Sequence, residues 1–366
     1  MGSQRPLAVG GRHSLWASRG LGDRAERTYD VREPAGCLAP AAARVTVARV
    51  PRRRRARGAG VPNRREITVV RRLVVNADDL GLTVGVNDGI FDAHDHGILT
   101  SASLFAGAPA TSDAIRRARG RPSLGVGVHL ALVDGTPTLP PRRVPTLVAD
   151  DERFRRSWKP FIAACLRGRV SVSLAEVELE LTAQVDRLRS ASVRLTHLDA
   201  HKHVHAYPPV FAIVARLAGR FGIPVVRVPY ERWSPIGDGN ARGTRRLQAL
   251  LNAAMRPWAR RDYRIAASHH LGTPHFAGRI HTGILSVDAL AGVVRALQPG
   301  VTELMVHPGY ADDELERTGT RLVESRQQEL DLLCSLEARA LLVGERVDLV
   351  RHDLTHVIKR SFRHVS

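Results

Sequence analysis

Lysine is nearly missing from this chain. Of its 55 basic residues only Lys159, Lys202 and Lys359 are lysine; the rest are arginine. That skew, beside abundant alanine, glycine and valine, is what GC-rich codon usage produces, so the formal charge of +19 is weak evidence for a nucleic-acid partner. Residues 1–66 hold 15 arginines against five acids and so carry more than half of the excess. Cysteine is as sparse: Cys37, Cys165 and Cys334 lie far apart and form no CxxC pair. This argues against a disulfide scaffold and for a reducing compartment. No apolar run reaches the roughly 18 residues of a membrane-spanning helix, and the N-terminus lacks the apolar core of a signal peptide. A cytoplasmic protein is expected.

What is present divides in two. Residues 1–66 show no sustained apolar periodicity and include the run Pro51–Arg57, which is rich in arginine. Low hydrophobicity with like charge is the composition of a disordered extension, and a polyanion-binding arm is the rival reading. From residue 67 onward, short β-rich runs alternate with helical patterns, which makes 67–366 the working domain. The runs are LVVN (73–76), SASLF (101–105), GVGVHL (125–130), RLTHLD (194–199), VVRV (225–228), IHTGIL (280–285) and TELMVH (302–307). Thr83 can cap a helix that stops at Gly97, Ser173 precedes another, Pro208 and Pro209 open a third, and one more is expected over 321–342. Alternation of this kind predicts a parallel α/β domain. About seven parallel strands without a GxGxxG turn favour a distorted, incomplete (β/α) barrel over a dinucleotide-binding sheet.

In such folds the active groups sit at the C-terminal strand ends. Four of the expected ends carry carboxylates or imidazoles. The first run leads into Asn76-Ala77-Asp78-Asp79-Leu80-Gly81, the third ends at His129, the fourth enters THLDAHKHVH, and the last ends in His307-Pro308-Gly309. Adjacent carboxylates reach one site only if the chain turns between them, and Gly81 makes a turn cheap. One could hold a metal while the other accepts a proton. In GVGVHL, Gly125, Gly127 and His129 share a face, so the glycines leave room there for a ligand. His197, Asp199, His201, His203 and His205 alternate. On an extended strand they would line one face too long for a single ion, so one or two at most are ligands. Asp79, His129 and one histidine of this run would make an Asp-His-His set with open positions, which by ligand chemistry suits zinc or another transition ion. No serine or cysteine sits in a nucleophile motif, so water activated by a metal is the economical mechanism.

NADDLG, GVHL, THLDAHKHVH and HPG, in this order and spacing, resemble the YdjC family of carbohydrate deacetylases over about residues 72–350. VDGTPTLPP (133–141), the Ala-His-Lys-His form of the histidine run and RVPYERWSP (227–235) are similar to its hopanoid-biosynthesis-associated branch, HpnK. The resemblance implies a barrel related to that of NodB-type polysaccharide deacetylases. It also implies Asp79, His129 and His201 as metal ligands, Asp78 as general base and magnesium as the usual metal. The implied reaction is hydrolysis of an N-acetyl group on an amino sugar, with His307 expected to protonate the leaving amine and His203, His205 and Arg227 expected to contact substrate. The substrate expected is an acetylated glucosamine carried by a hopanoid lipid, with soluble chito-oligosaccharides as the alternative. Over 242–261, Leu247, Leu250, Leu251, Ala254, Met255 and Trp258 form an apolar stripe flanked by Arg242, Arg245, Arg246, Arg256, Arg260 and Arg261. Such a helix either covers the barrel or lies on an anionic bilayer, peripheral to the membrane.

Overall fold

The computed structural model describes residues 70–155, 157–167, 172–232 and 242–353, so the basic extension 1–66 lies outside the described residues. Its strands are β1 (Arg71–Leu80), β2 (Ser101–Leu104), β3 (Gly125–Leu130), β4 (Leu195–Ala200), β5 (Val225–Val226), β6 (His275–Ala277), β7 (Gly300–Val306) and β8 (Val347–Leu349). Its first helices are α1 (Val84–His96), α2 (Thr111–Ala118), α3 (Trp158–Leu166), α4 (Leu174–Ser190) and α5 (Pro208–Phe221). They are followed by α6 (Arg242–Ala254), α7 (Arg256–Ser268), α8 (Val287–Arg295), α9 (Asp313–Arg317), α10 (Glu324–Cys334) and α11 (Leu336–Gly344).

The strands pair in the order β5-β4-β3-β2-β1-β7-β6, all parallel. Isolated parallel bridges, Val225 with Gly272 and Glu231 with Phe276, join the chain at the two ends of this path, so the curled sheet closes into a distorted barrel. One edge of β1 pairs with β7 along Arg71–Ala77. The other is shared, β8 taking Arg71–Leu73 and β2 taking over at Asn76.

Register divides the sheet by chemistry. Parallel neighbours in register point the same way, and side chains alternate along each strand. Asn76 is level with Ser101, Ser103 with Gly127, and His129 with Asp199, and all of these polar groups are buried. They form the inner face. The alternate residues, among them Leu73, Val75, Ala102, Val126, Val128 and Leu198, form the outer face and join the helices in one apolar core. On that face α1 packs on β1, α4 on β3 and α5 on β4. The interior is polar because that is where the chemistry sits; the stability comes from the outer layer.

The expected caps form. Thr83 Oγ1 accepts from the Val86 amide at 3.1 Å, and Ser173 Oγ accepts from Glu176. Pro208 opens α5, and Gly222 closes it at φ 66°. Several expectations fail. IHTGIL is a turn and not a strand; the sixth strand is His275–Ala277, five residues earlier. The helix expected over 321–342 is two, because Ser335 is extended (ψ 155°) and caps α11 through the Ala338 amide. The stripe at 242–261 also spans two helices. Met255 separates them, and Pro257 sits in the first turn of α7, where its missing N–H costs nothing.

Candidate metal centre and active site

β1 turns at Gly81 (φ 91°), as expected, and it also bends two residues earlier. Its register with β2 shifts between Ala77 and Leu80, and Asp79 itself adopts φ 68°. A left-handed conformation is costly for a non-glycine residue and persists only where its surroundings impose it. Here Asp79 O accepts from the Leu82 amide at 3.0 Å, and Gly81 N donates to Asn87 Oδ1 at 2.7 Å. The bend brings consecutive side chains to one site.

Three ligand atoms converge there. His201 Nδ1 lies 3.1 Å and His129 Nε2 3.4 Å from the same oxygen, Asp79 Oδ1. Phe105 packs edge-on against both imidazoles, at 4.8 and 5.3 Å between centroids. On its far side His129 Nδ1 lies 2.7 Å from Asp199 Oδ1, and Asp79 Oδ2 accepts from Arg326 at 2.5 Å. An imidazole braced by a carboxylate, with its free nitrogen turned to an acid oxygen, is the arrangement that orients a metal ligand. The electrostatics agree. Burial would strip a proton from His129, but Asp199 and Asp78 overcome it and raise the pKa to about 10. A field that holds a proton there also favours a cation. The residues therefore fit a divalent ion held by Asp79, His129 and His201. A second group, Asp78, His129 and Asp199, has suitable spacing. Its carboxylates are already engaged: Asp78 by Arg227 through both oxygens at 2.7 and 2.8 Å, Asp199 by Ser103 at 2.6 Å.

The histidine run is not one extended face. Strand β4 ends at Ala200, and a short 3-10 turn follows over His201–Ala206, with Lys202 and His203 at φ 52° and 55°. The kink lifts His201 to Asp79 and turns the rest away. His205 Nε2 sits 2.9 Å from Arg227 O, and His203 packs against the Phe276 ring. Neither His205 nor Arg227 reaches the surface: each is 1% exposed. Arg227 is expected from the sequence to contact substrate. Instead it lies beneath the site, bridging Asp78, Asp199 and Glu303 at 2.5–2.7 Å. Burial would raise the Asp78 pKa, but Arg227, reinforced by His129, holds it at about 2, so the group is ionised at neutral pH. The room expected at Gly127 is also taken, since a Cβ there would lie 2.5 Å from the His197 ring.

His307 is brought to the same rim and is buried. Desolvation outweighs the pull of Asp79 and Asp78 and lowers its pKa to about 4, so it is neutral. Its backbone N–H donates to Glu329 Oε2 at 2.6 Å. Glu329, Arg326 and Glu303 carry no motif signal. Glu303 is a lone charge within the apolar run VTELMV, which marks burial with a partner without naming it, whereas Arg326 and Glu329 sit in the polar stretch ESRQQELD, where nothing singles them out. Asp134, in VDGTP, approaches His201 Nε2 at 4.0 Å and takes φ 54°.

A parallel α/β barrel thus brings an Asp-His-His group that could hold a metal ion beside an ionised carboxylate. Residues 72–343 match the model of the YdjC-like protein family, and the chain belongs to that family. It is 32% identical to a carbohydrate deacetylase of Brevibacillus brevis over 280 residues, 76% of this chain and 97% of that one. A carbohydrate deacetylase of Geobacillus stearothermophilus is also 32% identical, over 76% of this chain and 96% of its own length. The fold is shared with a crystal structure from Enterococcus faecalis assigned provisionally to cellobiose-phosphate cleavage. The TM-score is 0.63 at 23% identity, covering 78% of this chain and 98% of that one.

Proposed function

We propose that this protein is a carbohydrate deacetylase that removes an N-acetyl group from an amino sugar with the help of one divalent metal ion. The observation that carries this reading is the convergence of His129 and His201 on a single oxygen of Asp79, beside an ionised Asp78. When bound, the ion supplies Lewis acidity toward an amide carbonyl and lowers the pKa of a water. Asp78, fixed by Arg227, accepts the proton of the attacking water. The water oxygen bonds to the acetyl carbon, the C–N bond breaks, and the leaving amine takes a proton through His307, giving acetate and the free amine. His307 is neutral before substrate binds and so must acquire that proton during turnover. Phe105 packs edge-on against both imidazoles and limits their movement.

The donor set of one carboxylate and two imidazoles favours zinc or another transition ion, whereas the family resemblance favours magnesium. For the substrate we favour an acetylated glucosamine on a hopanoid lipid, on the motifs at 133–141 and 227–235; soluble chito-oligosaccharides are the alternative. Chelated protein would be assayed for acetate release from both classes as each metal is restored. Release that returns with metal, and faster on the glycolipid, supports the reading. Full activity in chelator, or no release from any acetylated sugar with any metal, removes it.

A further inference from the structure

Helix α6 is mounted with its amides inward and its leucines outward. Asn252 is 5% exposed and pairs twice with Glu231, donating from Nδ2 to the carbonyl at 2.7 Å and accepting from the amide at 3.0 Å. One turn earlier Gln248 Nε2 reaches Thr282 O at 3.4 Å. Leu247, Leu250 and Leu251 lie on another face and are 59%, 69% and 41% exposed. A helix that merely covered the barrel would be rotated the other way, with its leucines against the core. Of the two readings of this stripe, packing against the barrel therefore does not hold for these three residues.

Among the described side chains of α6 and α7 the exposed charge has one sign. Arg246, Arg256, Arg260, Arg261 and Arg264 are exposed on α6 and α7, while the one acid in 242–268, Asp262, is buried. Exposed leucines flanked by cations on a helix are the chemistry of an interfacial lipid contact, and charge complementarity selects an anionic surface. The same charge opposes a second copy of this face, because like would meet like. We propose that the Leu247–Leu250–Leu251 face of α6, with Arg246 and the arginines of α7, docks on an anionic lipid bilayer. The contact is mechanically close to the catalytic rim. Trp258 of α7 packs edge-on against Tyr207 at 5.5 Å, and Tyr207 directly follows the turn that carries His201. The inference does not rest on the deacetylase reading, since docking requires no turnover.

The test is co-sedimentation of the full chain with vesicles of phosphatidylcholine alone and of phosphatidylcholine mixed with phosphatidylserine. The parent chain should bind the mixed vesicles and not the neutral ones. The L247S/L250S/L251S variant keeps the basic extension, so any difference from the parent reports the helix. Partitioning should fall at least about tenfold, with the melting curve unchanged because the leucines already face water. R256Q/R260Q/R264Q should weaken binding by about fivefold per charge, which keeps the test intact if the leucine variant folds poorly. L336S, a leucine 59% exposed on α11, should change nothing. Parental binding by a folded triple variant would assign the contact to residues 1–66 and overturn the proposal. So would absence of vesicle binding by the parent, or a dimer that the leucine substitutions abolish.

Discussion

Replacing Arg227 with methionine leaves Asp78, Asp199 and Glu303 buried without the guanidinium that joins them. The three carboxylates are 3%, 0% and 1% exposed, and methionine keeps much of the arginine stem, so the loss is one of charge compensation more than of packing. Removing one partner of a buried ion pair costs about 3–5 kcal/mol. The cost should not triple, because Asp199 keeps Ser103 and His129, and Glu303 keeps His352 at 3.6 Å. At about 2–4 °C per kcal/mol for a domain of this size, the melting temperature should fall by roughly 6–20 °C at pH 7. The pH dependence separates lost charge from lost volume. In the parent, Asp78 titrates near 2 instead of 3.8, so its stabilisation is present above about pH 4 and fades as pH falls toward 2. In the variant, burial without Arg227 should push Asp78 and Glu303 above their unfolded values, so the variant loses stability as pH rises. The gap between the two proteins should therefore be wide at pH 7 and narrower at pH 5, and adding Glu303→Gln should recover part of it. Urea unfolding of metal-free proteins at both pH values measures this. A gap below about 1 kcal/mol at pH 7, or one that widens on acidification, would refute the network as described.

Asp199→Asn should leave the fold intact but lower metal affinity by about 10–100-fold, because the carboxylate that orients His129 from behind has gone; competition titration against a chromogenic chelator reads this directly. Asp78→Asn should keep bound metal, as measured by elemental analysis, and lose about 10²–10⁴-fold in turnover; unchanged turnover would remove Asp78 from the proton path. Gly89→Ala should destabilise by about 1–3 kcal/mol, since the new Cβ would sit 2.5 Å from Gly309 Cα, in the turn that follows His307. A melting curve that matches the parent would show that α1 can move away from that turn.

Much of the site could be read before any fold was known, because strand ends announce themselves. An apolar run that stops at NADD, GVHL or MVHP has lost its reason to stay buried, so Asp78, Asp79, His129 and His307 stand out by local contrast. The parallel barrel was legible for the same reason: β-rich runs alternating with capped amphipathic helices leave few other architectures. Short elements were not. His275–Ala277 and Val347–Leu349 are too brief to show a period, and their pairing is set by β7 and β1 rather than by their own residues.

What tertiary structure alone decided is which polar groups face the ion and which hold it up from below. By itself the sequence determines that His197, Asp199, His201, His203 and His205 alternate. Folding breaks that alternation at Ala200, sends His201 to Asp79, and buries Asp199 behind His129. Arg227, Glu303 and Arg326 meet the site from segments far apart in the chain, and no local pattern records a partner over 70 residues away; Glu329 reaches the His307 amide across 22 residues, also beyond any local period. The same holds for α6. Its heptad-like leucines predict a stripe, but its rotation is set by Asn252 and Gln248 reaching for main-chain groups that only the closed barrel presents. A side chain's spacing is a property of the sequence; the direction in which it is buried is a property of what packs against it.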